Sequence, residues 1–342
     1  MIKFFIPFLE ALILSIIFVL VFLIVGKKIK CSIRKSARHI HLRNVSRWGG
    51  AAMIIAFNLA ILINRNLVII PALWGVMGAS LILLIVGTWD DLKELYWKTQ
   101  LFYQVALAVL IFVMGVRIPY TTNPLTGGLF YLDQGIWVIF SILIVIFWVT
   151  LMINAMNWVD GIDGLSGGIT FIGALTIAVL SLKPEVNQPP MVIMAMILAG
   201  VSLGFLIFNF YPSRILAGTS GATFMGFMLA VLAIFAGTKI ATSLLVMAIP
   251  LVDFIWVVGE RWRKRKSIFL PDRSHLHYKL MELGWSQVKI NTYFYTVTIL
   301  IAILALNTRA MGKILTLLSV SLVILVFILM VNNELKKNKK TV

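Results

Sequence analysis

Cysteine and acidic residues are what this chain has least of. Its 342 residues include a single cysteine, Cys31. That excludes an internal disulfide and supplies none of the paired spacing of a structural zinc site. Charged residues of either sign make up only 13%, and hydrophobic residues 61%. Soluble domains run near 25% and 45–50%, so an ordinary soluble core is excluded. Acids number 13 against 30 Lys and Arg, a net charge of +17. On a soluble chain that excess would suggest nucleic acid. Here the basic runs lack the interleaved aromatic residues of a stacking platform, so nucleic acid is not an expected partner. No separate soluble domain and no internal repeat of the secondary-transporter kind is visible.

What the chain has in abundance is long apolar runs. Residues 4–26, 67–87, 136–153, 191–210, 240–258 and 313–331 are each nearly free of charge. Each approaches or reaches the ~20 residues that a helix needs to cross the hydrocarbon core. Shorter or more glycine-rich candidates lie at 49–64, 101–116, 164–182, 221–237 and 290–307. The expectation is an all-α polytopic membrane protein of about eleven transmembrane helices, a single membrane-embedded domain over residues 1–342. The first run is too long for a signal-peptide core, and lysines rather than a small-residue cleavage site follow it.

Loop charge gives the orientation. With 27–47 placed inside and the spans alternating, the inside segments 27–47, 88–100, 211–220, 259–289 and 333–342 hold 23 of the 30 Lys and Arg. The positive-inside bias then puts the N-terminus out and the C-terminus in. The lysines at 336, 337, 339 and 340 read as a solvated tail near anionic headgroups. The inside loops are longer and more polar than the outside ones, and a further short one is expected at 155–163.

Because acids are scarce, their positions are informative. Eight of the 13 lie in three inside segments. The first segment is Gly87-Thr-Trp-Asp-Asp-Leu-Lys-Glu-Leu95, directly after span three. Adjacent carboxylates such as Asp90 and Asp91 repel, and persist most readily where a cation or basic side chain offsets the cost; a solvated helix cap is the plainer reading. The second, Asn154-Ala-Met-Asn157-Trp-Val-Asp160-Gly-Ile-Asp163-Gly-Leu, is sharper. Asn154, Asn157 and Asp160 at i, i+3 and i+6 share one face of a helix. The glycines then allow a tight turn with backbone N–H groups open to a ligand. Two amides and two carboxylates at the end of an apolar span are costly without a purpose.

The third segment is the long inside loop, with a basic run at 261–266 and then Pro271-Asp-Arg273-Ser-His275-Leu-His277. Two histidines at i, i+2 beside Arg273 suit a pyrophosphate. A metal reading of the pair is weaker, since no Cys and no third His lies nearby, and the basic run alone reads equally well as a lipid contact. Asp253 inside span nine, one turn after Pro250, is an intramembrane carboxylate and so a functional candidate. The stretch 38–50, including His39, His41, Arg47 and two glycines, suits docking of a lipid phosphate at the interface.

Taken together, these residues resemble the polyprenyl-phosphate N-acetylhexosamine-1-phosphate transferases, glycosyltransferase family 4. The resemblance runs from Arg38–Gly50 through Asp90-Asp91, Asn154–Gly164 and Pro250/Asp253 to Pro271–His277, nearly the whole chain. The Asn-x-x-Asn-x-x-Asp-Gly-x-Asp-Gly-Leu string is specific, and the Pro-Asp-Arg-Ser-His-Leu-His form is similar to the O-antigen and teichoic-acid initiating branch. What the resemblance implies is a cytoplasm-facing enzyme of the bacterial inner membrane. It would transfer a sugar-1-phosphate from a UDP-N-acetylhexosamine, UDP-GlcNAc first, to undecaprenyl phosphate and release UMP. That is the first membrane step of lipopolysaccharide or teichoic-acid assembly in cell wall biogenesis. Magnesium, or manganese in its place, is the implied cofactor.

By the same resemblance Asp90 and Asp91 orient or deprotonate the lipid phosphate, and Asn157 lies near the metal. Asp163 lies near the uracil, and Arg273, His275 and His277 on the diphosphate. Asn154, Asp160, Asp253 and Arg47 complete the substrate contacts. The chain departs from the family at one telling place. The family's Phe-Met-Gly-Asp-x-Gly-Ser motif, whose Asp is a magnesium ligand, corresponds to Leu216-Ala-Gly-Thr219-Ser-Gly221, with Thr219 at the Asp position. Leu216 stands where an aromatic is expected, Ser46 replaces a Pro, and Tyr278 replaces a further His. A neutral hydroxyl is a poor ligand for a hard cation. The leading expectation is an active transferase in which Asp160 or Asp163 shares the metal. The alternative is a homologue that binds nucleotide-sugar or lipid phosphate without turnover. A homodimer is left open by the sequence.

Overall fold

The computed structural model describes residues 2–28, 45–122, 128–237, 240–268, 273–308 and 310–338. Cys31, the Arg38–His41 segment, Pro271, Asp272 and the last two lysines lie outside the described residues. Thirteen helices and one short hairpin make up the described chain: α1 (Ile2–Lys28), α2 (Gly49–Ile63), α3 (Pro71–Lys93), α4 (Trp97–Val113), β1 (Tyr120–Thr122), β2 (Leu129–Tyr131), α5 (Trp137–Val159), α6 (Leu165–Leu182), α7 (Pro189–Asn209), α8 (Gly218–Phe235), α9 (Ile240–Val246), α10 (Ala248–Arg263), α11 (Leu276–Glu282), α12 (Gln287–Asn307) and α13 (Ala310–Asn338). The protein is therefore an all-α, multi-pass membrane protein. Each of the eleven apolar runs overlaps a helix. Among the described residues eight helices are long and apolar enough to cross a bilayer, and α9 with α10, bent by 77°, would make a ninth. The two shorter apolar helices are α2 and α4, of 15 and 17 residues.

Local sequence explains the helix boundaries. Proline opens α3 and α7 in the first turn, where its missing N–H has no intrahelical acceptor anyway. Ser286 caps α12 by accepting the Lys289 N–H at 3.2 Å. Span nine breaks at Met247, and Pro250 sits in the first turn of the new helix α10. The loops around the first two motifs are shorter than the sequence suggests. Helix α3 continues through Gly87 to Lys93, so Asp90 and Asp91 sit in its last turn and only three residues precede α4. Helix α5 likewise carries Asn154 and Asn157, and Asp160 is its C-cap. The antiparallel hairpin β1–β2, Tyr120 opposite Tyr131, was not expected between the fourth and fifth spans.

Helix α8 lies at the centre. Of its residues only Thr219 and Phe235, close to its two ends, escape burial. Small residues let neighbouring backbones approach it closely. A Cβ on Gly50 of α2 would fall 2.2 Å from the Gly221 nitrogen, and one on Gly87 of α3 would fall 2.4 Å from the Ser220 Cα. At the periphery α1 packs on α7 in the same way, through Gly200 and Gly204 against the backbone of Phe8 and Leu12. The Ser15 hydroxyl donates to the Val201 carbonyl at 2.8 Å. The ends of α3, α5 and α7 meet the starts of α6, α8 and α12 at one end of the bundle. All three polar motifs gather there.

Candidate active site

Two adjacent carboxylates set the first problem, because their charges repel. The structure answers with the N-terminus of α8, the positive end of a helix dipole. The Thr219 N–H donates to Asp91 Oδ2 at 2.9 Å. Its hydroxyl lies 2.7 Å from Asp90 Oδ2 and 3.3 Å from Asp91 Oδ1. Arg47 completes the arrangement with an ion pair to Asp91 Oδ1 at 3.2 Å. Asp90 Oδ1 accepts from the Leu95 N–H at 2.7 Å and the Gln100 amide at 3.0 Å. Gly218 makes the contact geometrically feasible. Its φ of +66° is one that L side chains rarely adopt, and a Cβ there would lie 2.4 Å from Asp91 Oδ2.

Arg47 is delivered by a strand-like pairing of two loops. Ser46 bridges Ile215 in parallel, the Leu216 N–H donates to the Ser46 carbonyl, and the Gly49 N–H donates to the Leu216 carbonyl. The Arg47–Gly50 segment is thereby fixed to the chain leading into Thr219. Two of the sequence-predicted regions meet through backbone, a link with no trace in residue spacing.

In the second motif the side chains diverge. The Asn154 amide donates to Gln104 Oε1 on α4 at 2.7 Å and to the Thr150 carbonyl at 2.8 Å. Asn157 is half-buried one turn further on. Asp160 Oδ1 accepts from the Ser166 hydroxyl at 2.5 Å. Burial pushes the Asp160 carboxyl up to about 7, against the Ser166 hydrogen bond and the field of Arg47, with Asp91 and Asp163 adding to the rise. Asp160, Asp91, Asp163 and Arg47 thus share one electrostatic neighbourhood. Asp163 is 2% exposed, and its Oδ2 accepts from the Ser213 N–H in the α7–α8 connection at 3.0 Å.

The third motif is built around Asp253. Its Oδ2 lies 2.8 Å from His275 Nδ1, and its Oδ1 accepts from the Leu276 N–H at 2.9 Å. A carboxylate accepts from an Nδ1–H, which leaves Nε2 on the opposite side of the ring facing away from Asp253. His275 Nε2 is buried with no hydrogen-bond partner among the described residues. The Trp158 ring meets His275 edge-on at 5.2 Å, and the Arg261 guanidinium lies over Trp158 at 5.2 Å. Arg261, in the basic run for which the sequence leaves a lipid contact as one of two readings, is 3% exposed. His277 stacks parallel to His275 at 5.8 Å, and Arg273 is exposed at the edge of the cluster. Gly161 brings the second and third motifs together, since a Cβ there would fall 2.2 Å from His277 Nε2 and 2.7 Å from the Tyr278 hydroxyl.

The ligand atoms that Asp90 and Asp91 themselves offer are carboxylate oxygens, which suit a hard divalent cation. Among the described residues no three His, Cys, Asp or Glu side chains converge as a metal-binding group. Magnesium commonly rests on one or two carboxylates and takes its other ligands from substrate phosphate and water, and this pair fits that demand.

Sequence reading did not single out Gln100, Gln104, Ser166, Asn209, Gln287, Asn291 or Tyr295. The last three offered a signal: polar side chains at i, i+4 and i+8 in an apolar span make one polar stripe, which needs partners inside the protein.

Paired carboxylates, basic side chains and an Asp–His pair gathered at one end of a helical membrane protein suit the binding of phosphate groups. Its sequence matches Glycosyl transferase family 4 over residues 73–237. Among its relatives is a "Probable undecaprenyl-phosphate N-acetylglucosaminyl 1-phosphate transferase" of Bacillus subtilis, 26% identical over 310 residues, covering 88% of this chain and 84% of the relative. A decaprenyl-phosphate N-acetylglucosaminephosphotransferase of Mycolicibacterium smegmatis is 30% identical over 302 residues, 79% of this chain and 73% of the relative. A phospho-N-acetylmuramoyl-pentapeptide-transferase of Petrotoga mobilis is 30% identical over 247 residues, 67% and 73% of the respective chains. The chain belongs to glycosyl transferase family 4 and is a phosphotransferase.

Proposed function

We propose that the protein transfers N-acetylhexosamine-1-phosphate from a UDP-N-acetylhexosamine, UDP-GlcNAc first among them, to undecaprenyl or another polyprenyl phosphate. The Asp90–Asp91 pair supports this reading most directly. Arg47 and the N-terminus of α8 hold it beside the Asp160–Asp163 turn. A phosphate oxygen of the lipid forms the new bond to the β-phosphorus, the bond from that phosphorus to the bridging oxygen breaks, and UMP leaves. Phosphoryl transfer needs little covalent chemistry from the protein, so positioning and charge do most of the work. Asp90 orients the lipid phosphate or takes its proton. His275, its ring fixed by Asp253, presents Nε2 to the diphosphate together with His277 and Arg273. Asp163 lines the nucleotide side, and Asn154 contributes a substrate contact from the side facing α4.

Magnesium, or manganese, would be held by Asp90 and Asp91 with Asn157, close to Thr219, and Asp160 or Asp163 would share it. When bound it offsets negative charge on the diphosphate. Loop charge supports a site facing the cytoplasm of the bacterial inner membrane, with the product entering cell-envelope polysaccharide synthesis of the lipopolysaccharide or teichoic-acid kind. The test is UMP release by purified protein from defined UDP-sugars and undecaprenyl phosphate, with and without magnesium. Expected is magnesium-dependent release from UDP-GlcNAc. No release across a panel of UDP-sugars would overturn the reading and leave a binding-only protein.

A further inference from the structure

The peptide units of Asp163 and Gly164 present two N–H and two C=O groups, and side chains from other helices engage all four. Gln287 Oε1 accepts the Asp163 N–H at 3.0 Å, and the Asn291 amide donates to the Asp163 carbonyl at 2.6 Å. The Tyr295 hydroxyl donates to the Gly164 carbonyl at 2.5 Å. From α7, Asn209 Oδ1 accepts the Gly164 N–H at 2.9 Å, while its amide donates to the Ile215 carbonyl at 2.9 Å. Gln287, Asn291 and Tyr295 lie at i, i+4 and i+8, on one face of α12. Asn291 is 0% and Asn209 2% exposed.

A turn at a helix start ordinarily leaves its N–H groups to water. Burying amide side chains in place of that water costs free energy. Bonds to all four backbone groups of the turn offset that cost here, even though Asn291 Oδ1 keeps no partner among the described residues. Bonds on every backbone group hold the turn in one geometry. The geometry it fixes is that of the Asp160–Asp163 turn. The Asp163 carboxylate then fastens the turn to Ser213 in the connection leading to α8. The Asp90–Asp91 pair is held separately, by Arg47, Thr219, Leu95 and Gln100.

We propose that Gln287, Asn291 and Tyr295 are positioning residues that act through the Asp163–Gly164 backbone to set the nucleotide side of the site. Which substrate responds rests on the function proposed above; the fixing of the turn does not.

The experiment pairs hydrogen–deuterium exchange of peptides spanning 160–168 with steady-state kinetics on the full-length protein. Asn291→Asp keeps the size but turns a donor into an acceptor facing a carbonyl. Tyr295→Phe removes one hydroxyl. Gln287→Glu keeps the acceptor that Gln287→Ala deletes. Expected are faster exchange at 160–168 in N291D and Y295F and a KM for the UDP-sugar raised about tenfold. The KM for the lipid phosphate should stay unchanged, and Q287E should recover much of what Q287A loses. Unchanged exchange and kinetics in folded N291D and Y295F would overturn the proposal. So would equal losses toward both substrates. If N291D does not fold, Y295F and Q287A decide. If the wild type turns over no UDP-sugar, the functional reading fails, and exchange alone then supports or refutes the fixing of the turn.

Discussion

A threonine hydroxyl carries one proton, and the two carboxylates facing Thr219 cannot both receive it. The shorter contact, 2.7 Å to Asp90 against 3.3 Å to Asp91, assigns the proton to Asp90. Asp91 is already served by Arg47 and the Thr219 amide. Asp90 Oδ2 is therefore held by one rotatable hydroxyl, which can turn aside when a substrate or cation needs that oxygen. Thr219→Val should lower kcat at least about tenfold, with Thr219→Ser restoring most of it, since a lost bond to a charged group is worth about 1.5–3 kcal/mol. Thr219→Asp adds a third carboxylate. We expect Mn²⁺ binding, read by electron paramagnetic resonance, to tighten at least about tenfold, and thermal stability in chelator to fall through like-charge repulsion. An unchanged Mn²⁺ affinity would count against a cation site at this helix end.

Asp160 gives a pH signature. Its carboxyl is pushed up from 3.8 to about 7, chiefly by burial. The folded state then holds a proton that the unfolded state releases between these values. Stability from this group is fully present below pH 4 and falls as pH rises toward 7. Asp160→Asn removes that slope. The variant should gain melting temperature over the wild type at pH 8 and little at pH 4, which a pH series of thermal melts would show.

Elements tell how much could be read in advance. The apolar runs give nearly all the helices, because the period and length of a span are local properties. The Asp, Asn and His motifs stand out in the sequence for the same reason, and the structure gathers them at one end of the bundle. What could not be read is who bonds to whom. The partners of the Asp163–Gly164 turn lie 45 to 131 residues away in the chain, and neither end of such a bond carries a mark of the other. The Ser46–Ile215 bridge that delivers Arg47 is equally silent, and so is the burial of Arg261 over Trp158. Gly87 invites a different misreading. It looks like the end of span three, yet it is the point where α3 touches α8. Gly87→Ala must push the helices apart at Ser220 and draw Asp90 and Asp91 away from Thr219. Activity should fall at least about tenfold, with a lowered melting temperature. Full activity would show that the contact tolerates a methyl group.

On the scale of the molecule, the helix ends at 93, 159 and 209 and the starts at 165, 218 and 287 define one polar end of the bundle. From loop charge we propose that this end faces the cytoplasm. In a Cys31→Ser background, Ser267→Cys should react with an impermeant maleimide only after the cytoplasmic side is opened, and Glu185→Cys should react in intact cells. The reverse pattern would invert the topology. A bent α9–α10 also serves this end, because Asp253 beyond the break reaches His275 across the following loop.

The seat of α1 on α7 bears on how the protein is made. Ser15 finds its acceptor at Val201, 186 residues later. A ribosome releases α1 long before α7 exists, so the first helix must wait in the bilayer with its small-residue face unmatched. Its apolar surface suffices to keep it there, as few of its residues depend on protein contacts. Docking on α7 comes only when Gly200 and Gly204 enter the membrane, so the first helix completes its packing only once the seventh has been made.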